Sequence, residues 1–249
     1  MVIFQHELLR DDLSLEEAKQ LQKKYQSILE KQEDANIIYP SLNEVKKVVG
    51  VDISYYKWKD IEFGVSCAVL WNILTKKVEQ STFAKDQMRF SYQAGFLGFR
   101  ECNLLSRAIE KLPDKPDLVM CDGHGIIHPR RFGEAVQLGI ALDIPTIGIA
   151  KNPYIGYSEW ESIKRKRGNR SPIWNFDPKI KNKLNQELLG YGICLIDNMK
   201  PVFISVGYRT TLDLAIEIAL RTTFNDKQPE PLYLADQLAK EKVKEILSS

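Results

Sequence analysis

The hydrophobic pattern changes its rhythm near the middle of the chain, and this change constrains the possible folds more than any other feature. Three apolar, β-branched segments come first, separated only by short polar turns, at residues 45–54, 63–71 and 77–84. Consecutive strands with connections this short pair as an antiparallel meander.

Helical and strand-like patterns alternate in the next part of the chain. Apolar residues recur at helical spacing over residues 99–112 and 131–142, and a short apolar strand follows each helix, at residues 117–122 and 145–150. This alternation is typical of βαβ units, whose strands pair in parallel. We therefore predict an α/β fold with a mixed central sheet, an antiparallel meander followed by parallel strands, flanked by helices.

The two ends of the chain add further elements to this sheet. Ser14 and Glu17 have the spacing of a helix-capping pair and begin an amphipathic helix predicted outside the sheet. No linker is long enough to divide the chain. We expect one domain over residues 1–249, with residues 1–40 as a helical extension packed on it. The remaining predicted elements are strands at 188–196 and 202–206 and helices at 211–221 and 231–247.

Composition excludes several protein classes without indicating a function. A hydrophobic fraction of 44% and a charged fraction of 27% are typical of globular proteins. No apolar run approaches the roughly 18 residues of a membrane span, and the acidic N-terminus is unlike a secretory signal. We expect a cytoplasmic protein without membrane contact. The four cysteines are widely spaced, which indicates neither a zinc site nor a disulfide framework.

One short segment concentrates positive charge although the net charge is only +2. Such a run is either a solvated loop or a surface that contacts phosphates. We predict that this segment is a loop; its basic residues are Lys164, Arg165, Lys166, Arg167 and Arg170.

Two predicted apolar strands each carry one aspartate. Asp52 lies within residues 48–54, which are otherwise apolar or small, and Asp122 ends the apolar run 118–121 before a glycine-rich turn. A carboxylate buried in such a place needs a cation or an ion pair, because burying its charge alone costs several kcal/mol. Each aspartate is therefore either a salt-bridged residue at a strand end or part of a shared cation site.

Two helices offer further carboxylates. Asp236 shares a helix face with Leu232, Ala239 and Val243, so it should face the sheet. Glu101 begins another helix and could equally be a solvated residue or a partner of its neighbouring arginine. Carboxylates without a histidine or cysteine cluster are typical ligands of Mg²⁺, for which Mn²⁺ substitutes. The residues alone thus indicate a metal-dependent phosphotransferase or nuclease.

Several long motifs resemble those of the endonuclease V family, whose members have a ribonuclease H-like fold. They occur in the family's order, and the resemblance spans roughly residues 48–239. The matching segments are residues 92–101, 122–133, 146–151, 203–207 and 229–231. The resemblance implies a divalent-metal endonuclease that cleaves DNA or RNA at the second phosphodiester bond 3′ to a deoxyinosine or inosine base. Its partner would be single- or double-stranded nucleic acid, bound by a monomer.

The resemblance also implies roles for particular residues. Asp52, Glu101, Asp122 and Asp236 match the acidic metal site, and Lys151 matches a cation that assists at the scissile phosphate. His128 would orient the attacking water or the phosphate; the alternative is a neutral histidine within the same pocket.

Base recognition is implied for a second group of residues. Tyr92 is similar to the family's wedge tyrosine, which fills the gap left by an extruded base. The prolines that usually flank this tyrosine in the family are replaced by Ser91 and Ala94. We therefore predict a more flexible loop. The residues expected to line the base pocket are Gly95, Leu97, Gly123 and Gly133.

Two other functions remain possible at this point. The chain could bind inosine-containing strands without cutting them, or it could be another ribonuclease H-like nuclease that recognises nucleic-acid structure. The first alternative leaves the four carboxylates unexplained. The second leaves the Tyr92 segment and the glycine-rich pocket unexplained.

Overall fold

The computed structural model describes residues 6–32, 39–179 and 186–248. Its central element is a single mixed sheet of eight strands. Its strands are β1 (Lys47–Trp58), β2 (Ile61–Asn72), β3 (Lys77–Gln87), β4 (Leu118–Cys121), β5 (Thr146–Ala150), β6 (Arg170–Trp174), β7 (Leu188–Ile193) and β8 (Val202–Tyr208). They lie side by side in the order β3-β2-β1-β4-β5-β8-β7-β6.

Helices cover both faces of the sheet. A short 3₁₀ helix (His6–Leu9) precedes them. The α-helices are α1 (Leu15–Gln32), α2 (Leu97–Ile109), α3 (Glu134–Leu142), α4 (Leu212–Arg221) and α5 (Glu230–Ser248). None of the helices in the described ranges is long and apolar enough to cross a membrane.

The strand directions confirm the predicted mixed sheet. β1, β2 and β3 form an antiparallel meander, and β4 and β5 then pair in parallel beside β1. β8 pairs antiparallel with β5, and β7 and β6 continue antiparallel to the edge. The parallel pairs are the ones whose strands are joined through helices, because a crossover is needed to return the chain to the same end.

The prediction of a loop for the whole basic segment was wrong at its end. Arg170–Trp174 forms β6 at the edge of the sheet, paired with β7. Pro172 and the neighbouring basic residues obscured this strand, since proline is disfavoured within sheets. An edge strand tolerates proline because one side of its backbone has no partner strand.

Alternation along β1 assigns the helices to opposite faces of the sheet. Val49 and Val51 pack in the cluster that contains residues of α2 and α3. Val48 packs in the cluster that contains residues of α4 and α5. Both clusters are continuous across β1, β4 and neighbouring strands, so the parallel centre of the sheet is covered on both sides, as such sheets require.

α5 approaches β1 so closely that only glycine fits between them. A Cβ on Gly50 would lie 2.2 Å from the carbonyl carbon of Pro231, in the first turn of α5. Ala235 and Ala239 of α5 also pack on β2. Small residues at this contact bring the helix, and with it Asp236, onto the strand that carries Asp52.

The predicted helix at the N-terminal end is confirmed, with its capping pair. The backbone N–H of Ser14 donates to Glu17 Oε2 at 2.8 Å, and the N–H of Glu17 donates to Ser14 Oγ at 3.3 Å. Tyr25 of α1 packs with Phe132 and Val136. The helix therefore lies against α3 and the segment before it rather than on the sheet.

Replacing Gly50 with alanine should destabilise the fold far more than the same change at Gly64 in the adjacent strand. At Gly64 a Cβ would meet only the ends of flexible side chains, the nearest being Met88 Sδ at 2.6 Å. At Gly50 it would meet backbone. We expect losses of about 3 kcal/mol or more for Gly50→Ala and about 1 kcal/mol for Gly64→Ala. Equal losses in urea unfolding would contradict the close contact between α5 and β1.

Candidate functional site

Parallel pairing of β1 and β4 brings two of the predicted carboxylates side by side. The register pairs Val51 with Cys121, so Asp52 and Asp122 are the next residues along the two strands. Both therefore lie at the carboxyl end of the paired region, where ligand sites of α/β sheets gather. Asp52 and Asp122 are 70 residues apart in the sequence, and the sheet topology alone brings them together.

Lysines supply positive charge beside these aspartates. Lys151, directly after β5, places Nζ 2.5 Å from Asp122 Oδ2. Asp236 on α5 accepts a hydrogen bond from Lys240 Nζ at 2.6 Å. The charges of Asp122 and Asp236 both act on Asp52. The three predicted aspartates thus form one electrostatic cluster, with Lys151 among them.

Burial makes Asp52 the costliest of these charges. Burial, together with the negative charges of Asp122 and Asp236, raises the pKa of Asp52 to about 8. The Ile53 backbone N–H donates to Asp52 Oδ1 at 2.7 Å and opposes the shift. A group desolvated beside like charges is typical of a cation site, because a bound cation would offset both effects.

Glu101 reaches the same region from α2, and its carboxylate is held by two donors. It is 9% exposed. Its Oε1 accepts a hydrogen bond from the Tyr55 hydroxyl, and Glu134 also hydrogen-bonds to it. Arg100 instead binds Glu62 Oε2 at 2.8 Å, so Glu101 is not the salt-bridge partner of its neighbour. The alternative of a solvated Glu101 is thereby excluded.

Glu134 is a buried carboxyl group that the sequence analysis missed. It begins α3, is 3% exposed, and its Oε2 lies 2.1 Å from where a Cβ on Gly123 would stand. Burial raises the pKa of Glu134 well above its usual value, as do the charge of Glu101 and the hydrogen bond between them. Glu134 is therefore the proton donor of this pair. A glutamate near the start of a helix is stabilised by the helix dipole. The sequence pattern therefore does not indicate this further role.

The carboxylates fit a hard cation by their chemistry, although the side chains do not form a ready ligand set. Within residues 6–32, 39–179 and 186–248, no three His, Cys, Asp or Glu residues converge to hold a metal ion. Asp122 and Asp236 are instead paired with lysines. The oxygen donors and the desolvated Asp52 nevertheless match what Mg²⁺ or Mn²⁺ requires.

A pocket of about 220 Å³ adjoins this carboxylate cluster. Glu134 links the two, because it lines the pocket and binds Glu101. Four of the five residues predicted to bind the base line the pocket; Gly123 does not, and lies against Glu134 instead. The lining residues are Gln22, Tyr92, Ala94, Gly95, Leu97, Gly98, His124, His128, Phe132, Gly133, Glu134, Asn152, Pro153 and Tyr154.

The backbone conformation at Gly95 and close backbone packing at Gly133 explain two of the predicted glycines. Gly95 has φ +83°, a conformation that other residues rarely adopt. A Cβ on Gly133 would lie 2.2 Å from the carbonyl oxygen of His124. Main-chain groups of Gly95 and Gly133 thus form part of the pocket wall, and side chains such as those of His128 and Phe132 complete it.

His128 lies in the pocket wall and is neutral. Its Nδ1 accepts hydrogen bonds from the backbone N–H groups of Arg130 at 3.2 Å and Phe132 at 3.3 Å. Its Nε2 must then carry the proton and donate to the carbonyl of Gly95 at 3.1 Å. Burial lowers the pKa of His128 to about 4. This geometry favours a neutral pocket histidine over one that orients the attacking water.

Part of the basic segment holds the fold together. Arg167 Nη2 donates to the carbonyl of Leu220 at 2.5 Å, at the end of α4, and Arg165 Nη1 donates to the carbonyl of Trp160 at 2.9 Å. Lys164 and Lys166 are exposed. Arg165 and Arg167 therefore bind carbonyl groups, whereas the two lysines face solvent.

Comparison with known proteins identifies the family. A family model described as Endonuclease V matches residues 26–237. The chain belongs to the endonuclease V family. This confirms the resemblance in the sequence and places the chain among nucleases.

Relatives and solved structures of the family match over most of their length. Endonuclease V of Dictyoglomus thermophilum is 36% identical over 223 residues, 90% of this chain and 88% of the relative. The crystal structure of endonuclease V from Streptomyces avermitilis has a TM-score of 0.79 at 32% identity, covering 94% and 95% of the two chains. That of Ciona intestinalis, in complex with a 24mer DNA containing an inosine followed by a ribo-adenosine, has a TM-score of 0.75 at 27% identity, covering 93% and 99%.

The sequence analysis of this endonuclease V family member missed several pocket residues, and three of them matter for the site. Glu134, Gln22 and Tyr154 line the pocket with the predicted residues. Gln22 belongs to the helix that the sequence places outside the sheet, so no pattern linked it to the site. Tyr154 comes just after the Lys151 motif, and its ring lies 5.9 Å from that of His124.

Glu134→Gln should stabilise the protein increasingly as pH rises above about 4.5. The folded Glu134 keeps its proton while the unfolded chain ionises, so the native residue costs stability as pH rises. Glutamine donates the same hydrogen bond and cannot ionise. With a chelator present, the unfolding temperature should exceed the parent's at pH 7 by about 2–4 °C per kcal/mol gained, and the gain should vanish near pH 4. Glu241→Gln, exposed on α5, is the control; a pH-independent gain would refute the buried proton.

Proposed function

We propose that this chain is a divalent-metal-dependent endonuclease that cleaves nucleic-acid strands at the second phosphodiester bond 3′ to a deoxyinosine or inosine base. The observation that supports it best is the junction at Glu134 between a partly buried carboxylate cluster and a pocket. One part suits phosphodiester chemistry, and the other suits recognition of a base. A strand that bridges them would present a phosphate near its recognised base.

The residues of the cluster have distinct tasks in this proposal. A Mg²⁺ or Mn²⁺ ion, when bound, would polarise the phosphoryl oxygen and lower the pKa of the attacking water. Asp52, Asp122, Glu101 and Asp236 would hold it. Lys151 would neutralise charge on the scissile phosphate, because its ammonium already lies among these carboxylates.

The pocket would accept a base that has left the helical stack. Its volume of about 220 Å³ is below the roughly 300–1,000 Å³ of drug-sized ligand sites and suits a single planar base. Tyr92 is 70% exposed at the pocket rim, where a ring could enter the gap left in the strand. A wall of main chain around Gly95 and Gly133 would read the hypoxanthine edge and leave no room for the exocyclic amine of guanine.

Phosphate contacts would come from the exposed part of the basic segment. Lys164 and Lys166 are exposed, and Arg170 stacks on Tyr191 with its guanidinium carbon 4.8 Å from the ring centre. Such contacts weaken with salt and carry no base specificity. They would orient the strand, while the pocket selects the base.

The relative from Ciona intestinalis, crystallised with inosine-containing DNA, supports this class of substrate. Both DNA and RNA remain candidates, since contacts to the 2′-hydroxyl distinguish them. We further infer that the protein acts as one domain and as a monomer. We expect it in the cytoplasm or nucleus, where such strands occur.

Asp52→Asn should abolish cleavage while stabilising the metal-free protein. Cleavage of labelled DNA and RNA strands with one inosine should fall at least about 10³-fold, equivalent to roughly 4 kcal/mol. The stability gain follows because the folded pKa of about 8 means that ionised Asp52 costs stability as pH rises from about 4 to 8. Asp60→Asn, in the exposed turn between β1 and β2, is the matched control.

The same assay separates the proposed function from its alternatives. Each strand is compared with its normal counterpart, and thermal unfolding is followed with and without Mg²⁺. Binding of inosine strands without cleavage by the parent protein would favour a non-cleaving binder. Cleavage that ignores inosine would favour a structure-specific nuclease.

A further inference from the structure

A buried glutamine on α1 makes three contacts with the base pocket. Gln22 is 1% exposed, although most of its helix neighbours face solvent. Its Nε2 donates to the carbonyl of Gly95 at 3.0 Å and to that of Phe132 at 3.2 Å, and its Oε1 accepts from Arg130 Nε at 2.5 Å. Two carbonyl acceptors and one guanidinium donor fix the orientation of the amide, because the reversed amide would satisfy none of them.

The carbonyl of Gly95 is the centre of this arrangement. It accepts hydrogen bonds from Gln22, from Arg130 Nη2 at 2.7 Å and from His128 Nε2 at 3.1 Å. The preceding residues 91–94 are all exposed. Gly95 therefore anchors the loop that carries Tyr92 at the point where the loop enters the pocket.

Arg130 depends on the same glutamine. Its guanidinium stacks on Phe96, 4.4 Å from the ring centre, and none of the ion pairs among the described residues includes it. The described hydrogen bonds of the guanidinium go to Gln22 and to the carbonyl of Gly95. Because this guanidinium has no described ion pair, it depends on uncharged acceptors held in fixed positions.

We propose that Gln22 is a positioning residue for base recognition. Through Gly95 and Arg130 it holds the Tyr92 loop in the conformation that admits a base, so α1 forms a functional wall of the pocket. This inference rests on the proposed function for its activity measurement but not for its structural one. A merely structural Gln22 would attach α1 to the fold without affecting the loop.

Two substitutions at Gln22 test this role. Gln22→Met keeps the length of the side chain and removes all three hydrogen bonds. Gln22→Glu keeps an acceptor for Arg130 but places a carboxylate against two carbonyl groups, and it serves if the methionine variant does not fold. Gln20→Met is the control, because Gln20 is exposed on the same helix and its described side-chain hydrogen bond goes to Glu16 Oε1, at 3.4 Å.

Hydrogen exchange and cleavage kinetics are the two readouts. In both Gln22 variants we expect the amides of residues 93–97 to exchange at least about tenfold faster than in the parent, as local opening becomes easier. The KM for an inosine strand should rise about tenfold, with a smaller change in kcat, and the preference for inosine over guanosine should fall. The control should match the parent in each measurement.

The outcomes distinguish this inference from the proposed function. Unchanged exchange at residues 93–97 and unchanged KM in a folded Gln22 variant would overturn the positioning role. If the parent does not cleave inosine strands, the proposed function fails, and hydrogen exchange alone then decides whether Gln22 fastens the loop.

Discussion

The site depends on the parallel pairing of β1 with β4. That register sets Asp52 beside Asp122 at the carboxyl end of the sheet, and the close contact of α5 at Gly50 brings Asp236 to the same place. Bringing carboxylates together in a partly buried position is unfavourable, as the raised pKa of Asp52 reflects. The packed core beneath them supplies the free energy that offsets this cost.

The pocket and the carboxylate cluster are two parts of one hydrogen-bonded system. Glu134 shares a proton with Glu101 on one side and lines the pocket on the other. His128 is neutral and bound entirely to backbone groups of the wall. The pocket lining is thereby uncharged, and charge is confined to the neighbouring cluster. A neutral base bound there as we propose would meet no unpaired charge.

The errors of prediction have physical causes that differ from residue to residue. β6 was missed because Pro172 and basic residues look like a loop, while an edge position accepts them. The basic segment looked uniform, but Arg167 binds a carbonyl group at the end of α4, whereas the lysines face solvent. The sequence analysis did not single out Glu134, because a glutamate in the first turn of a helix is favourable without any further role; only its burial against Glu101 reveals one.

The sequence by itself determined the sheet class, the order along the chain of the strands and helices other than β6, and the candidate site residues Asp52, Asp122 and Asp236. These follow from hydrophobic periodicity and from the cost of burying charge, which are local properties. Only the tertiary structure decided that Glu101 faces inward, that His128 is neutral and that Gln22 of α1 reaches the pocket. Each of those depends on partners many residues away, and a local pattern contains no information about which distant group completes a hydrogen bond.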